Sequence, residues 1–476
     1  MKRGANKRGV FGDLIEKPGK TDGFFFGTED VFELKGSDDI VAVGLVMGKI
    51  KTGDTVYITN PGDDDGKEES GTVVGIEINR MEARAAKNSV AALRIKDGKK
   101  YTLKTGTVLH QQKAPEKTIH DVYMMALGEG FITFKEMKLS QKEFEKMSLT
   151  DLVELVNLYR LYLDNNKGPL ADTLTEHDRE ISEVMSSYLC KKLLLAKRIY
   201  VLINKKTGEP HMLSVTYEND NGEIITTPPD IVVLTKAYID EWSKRFDTYT
   251  YEFLEVENGE NGRGIHDYLG EAFYLNGACG VRILYENIVV VAEALVRRPD
   301  YSNLPEVQVP VTNPDLERWL LLTGQLDPPE TLSEDKLQKA LYSHLFKALA
   351  SAKFIVPMKM SEEGDGTGGP DSSDNPDGTL KQSSPDKDQK KETKMTISIQ
   401  KGKNKKDAVR MYTDWKRFHM AYKEEDGWKG LVERIPNMIV TFDCAINVTD
   451  YPKAGCYIDR ISFEADIRKF MTEENG

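Results

Sequence analysis

The sequence predicts a multidomain α+β chain, an N-terminal all-β barrel followed by two tandem α/β domains. Three observations carry this. Between Phe24 and Leu109, short β-branched and apolar runs alternate with Gly, Asp and Lys turns, the pattern of a small antiparallel barrel. Beyond it, one succession of helix, strand and Trp-bearing segment occurs twice. The 476 residues, 39% of them hydrophobic, suffice for about three domains at the usual ~150 residues each.

The barrel elements follow in order. Val31, Ile40, Val41, Val43, Leu45 and Val46 suit a pleated, half-buried surface, and Gly36-Ser37 breaks their run. Gly48 and Gly53 can each take a positive φ, so the Gly48–Asp54 segment turns the chain. Thr55–Ile58 alternates with Val56 and Ile58 on one face. The acidic run after Asn60-Pro61-Gly62 reads as a polar hairpin tip. Val73–Ile76 and Val90–Leu93 give further strands, and Gly106–Leu109 closes the unit.

Asp30-Val31-Phe32, Gly44, Gly48, Ile50, Gly53-Asp54, Gly75-Ile76-Glu77, Val90 and Gly106–Leu109 occur in an order that resembles the second domain of translational GTPases such as elongation factor Tu. The resemblance covers about a fifth of the chain and implies the barrel fold. In elongation factor Tu this domain helps to hold the aminoacyl end of tRNA. The resemblance therefore implies a ligand pocket of Glu29, Asp30, Phe32, Glu77 and Arg80. It departs at Val43, Asn79, Lys87 and Ser89, where the family has other residue types. GTP binding is not expected. The only Gly-Lys-Thr, Gly19-Lys20-Thr21, has Leu14 where a phosphate loop needs its first glycine, and Asn204-Lys205-Lys206-Thr207 lacks the base-reading Asp.

Residues 1–22 read as a flexible basic arm, 23–110 as the barrel and 111–147 as a connector with a strand-like Ile119–Leu127. Ser148 looks like an N-cap for a helix beginning at Leu149, and a second helix spans about Thr175 to Ala196. An apolar strand follows at Arg198–Ile203. The same order returns later. Ala196-Lys197 precedes one strand as Ala352-Lys353 precedes the other, and Val232–Phe246 answers Val409–Phe418, with Trp242 facing Trp415. The repeat gives domains at about 148–300 and 312–470, with a polar, disorder-prone insert at 361–394 in the second. Lys339-Ala340-Leu341, Ala352–Pro357 and Tyr412–Phe418 resemble the SseB N-terminal family, so the two units are expected to be tandem SseB-like domains. Trp242 and Trp415 are candidate partner anchors, since Trp is favoured at interfaces. Their helical spacing with Phe246 and Phe418 equally suits core packing.

No catalytic residue is expected. There is no Gly-x-Ser-x-Gly, the seven His form no paired metal motif, and the four Cys make no Cys-x-x-Cys, so no cofactor or metal is implied. Scattered cysteines, the lack of an apolar leader and the lack of a membrane-length apolar run point to the cytoplasm. A net charge of -12 argues against a nucleic-acid coat over the whole chain. The resulting expectation is a non-enzymatic bacterial cytoplasmic adaptor that recognises a protein partner through its tandem domains. A translation-associated RNA, tRNA or ribosome binder using the barrel pocket is the alternative, and an enzyme with an inter-domain site is a third.

Overall fold

Period-two alternation becomes a closed barrel. A computed structural model describes residues 23–63, 68–167, 175–283, 288–362, 378–380, 393–402, 405–448 and 454–471. The basic arm, residues 1–22, lies outside the described residues, as does most of the insert at 361–394.

The chain forms two units. The first comprises Met1–Ile199, Thr235–Asp240 and Tyr285–Ile288. Its strands are β1 (Phe25–Glu33), β2 (Ile40–Met47), β3 (Lys49–Lys51), β4 (Thr55–Thr59), β5 (Glu69–Ile78), β6 (Met81–Ala83), β7 (Ala85–Lys87), β8 (Val90–Ile95) and β9 (Val108–His110). Six of them run in the order β4-β9-β1-β2-β8-β5, and β5 pairs back onto β4, so the barrel has no free edge. β6 extends β5 as a hairpin, while β3 and β7 form a separate two-stranded ribbon. The inward row of β2 (Ile40, Ala42, Gly44, Val46) meets Phe26, Val56, Ile58, Val73, Leu93 and Ile95 in the core. Each fully buried aliphatic side chain contributes roughly 1.5–3 kcal/mol. Gly48 and Gly53 take φ of 85° and 94°, as the turns require.

The connector is helical, not strand-like. Ile119–Leu127 belongs to α1 (Glu116–Leu127), which continues as a π-helical turn over Gly128–Phe134. Val122–Leu127 is buried throughout, and an unbroken apolar run does not discriminate a buried helix from a strand. α1 lies on β1 so closely that a Cβ at Gly27 would sit 3.1 Å from Ala126 Cβ. After α2 (Gln141–Lys146), α3 (Leu149–Lys167) starts where its cap predicts, with Asp151 N–H donating to Ser148 Oγ at 3.0 Å. α4 (Glu176–Leu195) opens with a capping box between Thr175 and Asp178.

The second unit comprises Tyr200–Leu234, Glu241–Leu284 and Val289–Gly476. Its first sheet is built from β10 (Arg198–Asn204), β11 (Glu209–Pro210), β12 (Met212–Leu213), β15 (Asp230–Leu234), β16 (Tyr251–Glu257), β17 (Gly280–Ile283) and β18 (Ile288–Val291). β13 (Thr216–Glu218) and β14 (Ile224–Thr226) make a side hairpin. Helices α5 (Lys236–Trp242, its first five residues in the first unit), α6 (Gly264–Tyr274) and α7 (Ala292–Leu295) fall between these strands in sequence, followed by α8 (Pro314–Gln325) and α9 (Leu332–Ser351). The later strands are β19 (Phe354–Glu362), β20 (Gly378–Leu380), β21 (Thr393–Ile397), β22 (Ile399–Lys401), β23 (Asp407–Met411), β24 (Lys429–Glu433), β25 (Asp443–Ile446) and β26 (Cys456–Ile458). The helices among and after them are α10 (Trp415–Ala421), α11 (Ile435–Met438), α12 (Arg460–Ser462) and α13 (Arg468–Met471).

One strand succession occurs twice. β10 pairs antiparallel with β15, which runs parallel to β17, with β18 beside it; β11 and β16 attach to β10. Correspondingly, β19 carries β21 and β24, bridges through Ile355 to Tyr412 at the end of β23, and β23 runs parallel to β25, with β26 beside it. The whole is a closed six-stranded barrel with helices and further sheets, a mixed α+β architecture. Among the described residues no helix is long and apolar enough to cross a membrane.

Candidate binding site

The five barrel residues fall into two groups. Glu29 is the extra residue of a bulge, where the β1–β2 register shifts between Thr28 and Asp30, and the kink buries it to 7% exposure. Asp30 Oδ1 accepts the Val31 N–H at 2.9 Å, and Phe32 is half exposed. Glu77 is exposed on β5, directly across from Glu82 of β6. Arg80 holds the β5–β6 turn with a φ of 66°. β2 and β8 separate β1 from β5 in the sheet, so the two groups do not lie on neighbouring strands.

Sequence reasoning passed over Lys49 and Lys51. In the β3–β7 ribbon Lys49 faces Lys87 directly, and the Thr52 N–H donates to the Arg84 carbonyl. Lys49, Lys51, Arg84 and Lys87 are all exposed, so this ribbon is a basic ridge beside Arg80. The Lys-Ile-Lys alternation was the available signal, since a period of two places both lysines on one face.

Neither tryptophan stands free. Trp242 ends α5, with the Arg245 guanidinium 4.2 Å above its ring. Phe246 does not share that helix. A 3-10 turn over Ser243–Arg245 ends it, and Phe246 is extended, packing edge-on to Tyr251 and Phe253. Trp415 is half-buried, edge-on to Phe418 at 5.3 Å and tight against Gly430, where a Cβ would meet Trp415 Cη2 at 2.4 Å.

The second unit holds a large open cleft of about 1350 Å³. Four segments build it, α6, the chain from Val296 to Pro314 with its 3-10 turn at Glu306–Gln308, the α9–β19 junction at Ser351 and Lys353, and the junction of β24 with α11. Leu275, Val296, Val309, Val311 and Val432 supply apolar lining, and Arg297, Arg298 and Arg434 supply charge. Three of the four carboxylates at the cleft are paired with a cation. Asp267 is held below the usual carboxylate range by its hydrogen bond with His266 and by Arg263. Glu271 pairs with Lys416, and Glu306 with Lys353 at 2.7 Å. Glu433 accepts the Asn437 side-chain N–H at 2.7 Å. Among the described residues, the exposed guanidinium groups of Arg297, Arg298 and Arg434 make no ion pair within bonding distance. Glu306 is held below the usual carboxylate range first by its hydrogen bond and charge pairing with Lys353, with Arg434 adding to the pull.

A buried polar network lies elsewhere in the same unit. Arg417, 12% exposed at its side chain, donates to Asp414, to Asn276 Oδ1 at 2.9 Å and to Glu209 at 3.3 Å, and pairs with Glu317 at 3.2 Å. Glu317 is wholly buried and also accepts from Thr413 and Asn447. Burial pushes its carboxyl up to about 7, against the pull of Arg417. Glu317 does not line the cleft, so the most perturbed carboxyl of this unit is not presented to a ligand there.

In the first unit, Asp151 accepts from Lys104 and from Tyr123 at 2.8 Å while capping α3. Burial works against the Lys104 charge, but Asp151 and Asp63 outweigh it and hold the ammonium above its ordinary range. Burial likewise raises the Cys444 and Cys456 thiols to about 12, and all four cysteines are free. Such thiols are poor nucleophiles at neutral pH. Among the described residues no group of three His, Cys, Asp or Glu is placed to hold a metal ion.

Comparison of the sequence with protein-family models and with curated proteins finds no match.

Proposed function

We propose that the chain is a non-enzymatic adaptor that holds a protein partner in the cleft of its second unit. The supporting observation is the cleft itself. It is open, partly apolar, and carries three exposed arginines that make no ion pair among the described residues. Arginine is enriched among the residues that anchor interfaces. The tandem SseB-like reading and a cytoplasmic setting remain part of this proposal. The test is affinity capture with the full chain, comparing wild type with Arg297→Glu/Arg298→Glu. A discrete, RNase-resistant protein captured only by wild type fits the reading. The same capture profile from both proteins would refute it.

A second reading has its own observation. The ridge of Lys49, Lys51, Arg84 and Lys87 suits a phosphate backbone and supports the translation-linked RNA or ribosome reading. Lys51→Glu/Arg84→Glu should then weaken binding of a labelled RNA and flatten its salt dependence. An unchanged salt slope would count against it.

A further inference from the structure

The cleft is bordered by an open strand edge. β24 pairs with β19 on one side only, in register Phe354↔Glu433 to Met358↔Lys429. Among the described residues, Lys429–Glu433 make no backbone hydrogen bond beyond that ladder. Folded proteins blunt such edges with charge, proline, bulges or a covering segment. Here Lys429 and Glu433 stand at the two ends of the strand, and Pro436 lies past it. Val432, 44% exposed, and Glu433 both line the cleft, and Arg434 follows immediately. Trp415 packs on Gly430, near the start of the strand.

Resting on the adaptor reading, we infer that the partner segment is an extended acidic peptide that adds as a strand to the β24 edge. Its backbone continues the ladder, which supplies affinity without regard to sequence. Side chains alternate along a strand. One row therefore sets carboxylates against Arg297, Arg298 and Arg434, and the other lays apolar groups on Val432, Val309 and Val311. Guanidinium–carboxylate pairs are bidentate and charge-assisted, which selects acidic over basic segments.

The experiment uses the full chain and fluorescence anisotropy of a labelled peptide of alternating glutamate and valine, about six residues long to span a strand such as β24. Three results are expected. The peptide binds while its lysine–valine counterpart does not. Arg297→Ala/Arg298→Ala weakens binding about tenfold or more. N-methylation of alternate peptide amides, which removes ladder donors and leaves the protein untouched, abolishes it. Equal binding of the N-methylated peptide overturns strand addition, and insensitivity to the arginine substitutions overturns the site. Displacement of the peptide by a labelled RNA oligonucleotide assigns the cleft to phosphate and overturns the inference as well. A protein partner whose capture is lost in the charge-reversed variant, but which survives competition by the peptide, overturns this inference and leaves the adaptor reading standing.

Discussion

Arg417→Met tests whether the buried network holds the second unit together. The substitution preserves much of the side-chain bulk and removes the one cation that meets Glu317, Asp414 and Glu209. Glu317 and Asp414 are 0% and 1% exposed, so water does not take over the lost interactions. Removing one partner of a buried pair costs about 3–5 kcal/mol, against about 0–1 for an exposed pair. That is a large share of the ~5–15 kcal/mol that holds a typical domain. All four tryptophans, Trp242, Trp319, Trp415 and Trp428, lie in the second unit, so tryptophan fluorescence during urea unfolding reports this unit alone. With a urea slope of about 1–3 kcal/mol per molar, the midpoint should fall by about 1 M or more. The penalty should shrink toward pH 6, because Glu317 relieves part of the uncompensated charge by taking a proton. Combining Arg417→Met with Glu317→Gln should cost less than the two single effects added. A midpoint within the range of a surface substitution, or strict additivity, would refute the reasoning.

Three more predictions follow from particular contacts. The Glu317 carboxyl is raised from 4.5 to about 7, so the folded state holds a proton that the unfolded state has released; the associated stability is present below about 4.5 and is lost as pH rises through about 7. Glu317→Gln should remove this slope, up to about 1.4 kcal/mol per pH unit, which unfolding curves at pH 5, 6 and 8 will register. In Gly44→Ala the added Cβ would lie 1.8 Å from the Gly27 carbonyl oxygen, a backbone atom opposite the bulge. It should destabilise the barrel by about 1–3 kcal/mol, read by circular dichroism at the first unit's transition. Asp151→Asn removes the charge that pairs with Lys104 and leaves one acceptor oxygen where two serve Lys104, the α3 cap and Tyr123. Loss of about 2–4 kcal/mol is expected, and hydrogen exchange should rise first in the leading turn of α3.

How far the sequence could be read depended on the range of the signal. The barrel was legible because strand alternation and glycine turns are local, and Val56/Ile58 and Gly48/Gly53 take the places such patterns require. The Ser148 cap was legible for the same reason, since Asp151 sits three residues on and the hydrogen bond falls there, whereas Thr175, read as the start of its helix, caps it through Asp178. α1 was not legible, since Val122–Leu127 is apolar on every side and carries no period to read. The Arg417 network was beyond reach altogether. Arg417 and Glu209 are 208 positions apart, and each in isolation looks like an ordinary surface charge.

The cleft is the extreme of this rule. Arg297 and Arg298 stand as a dipeptide before Pro299, and Arg434 stands alone after β24, with nothing in either neighbourhood to mark a site. They gain meaning only through subtraction. Asp267, Glu271 and Glu306 are engaged by Arg263, Lys416 and Lys353, while Glu433 meets only the uncharged Asn437, so three arginines against one carboxylate are the charge left over. A surplus of one sign is a property of the assembled set and of no single member. That is why the decisive perturbation is to supply the missing anion rather than to delete a residue. Placing a glutamate on the peptide side should strengthen binding in proportion to the arginines it reaches, and adding it to the charge-reversed protein should weaken binding.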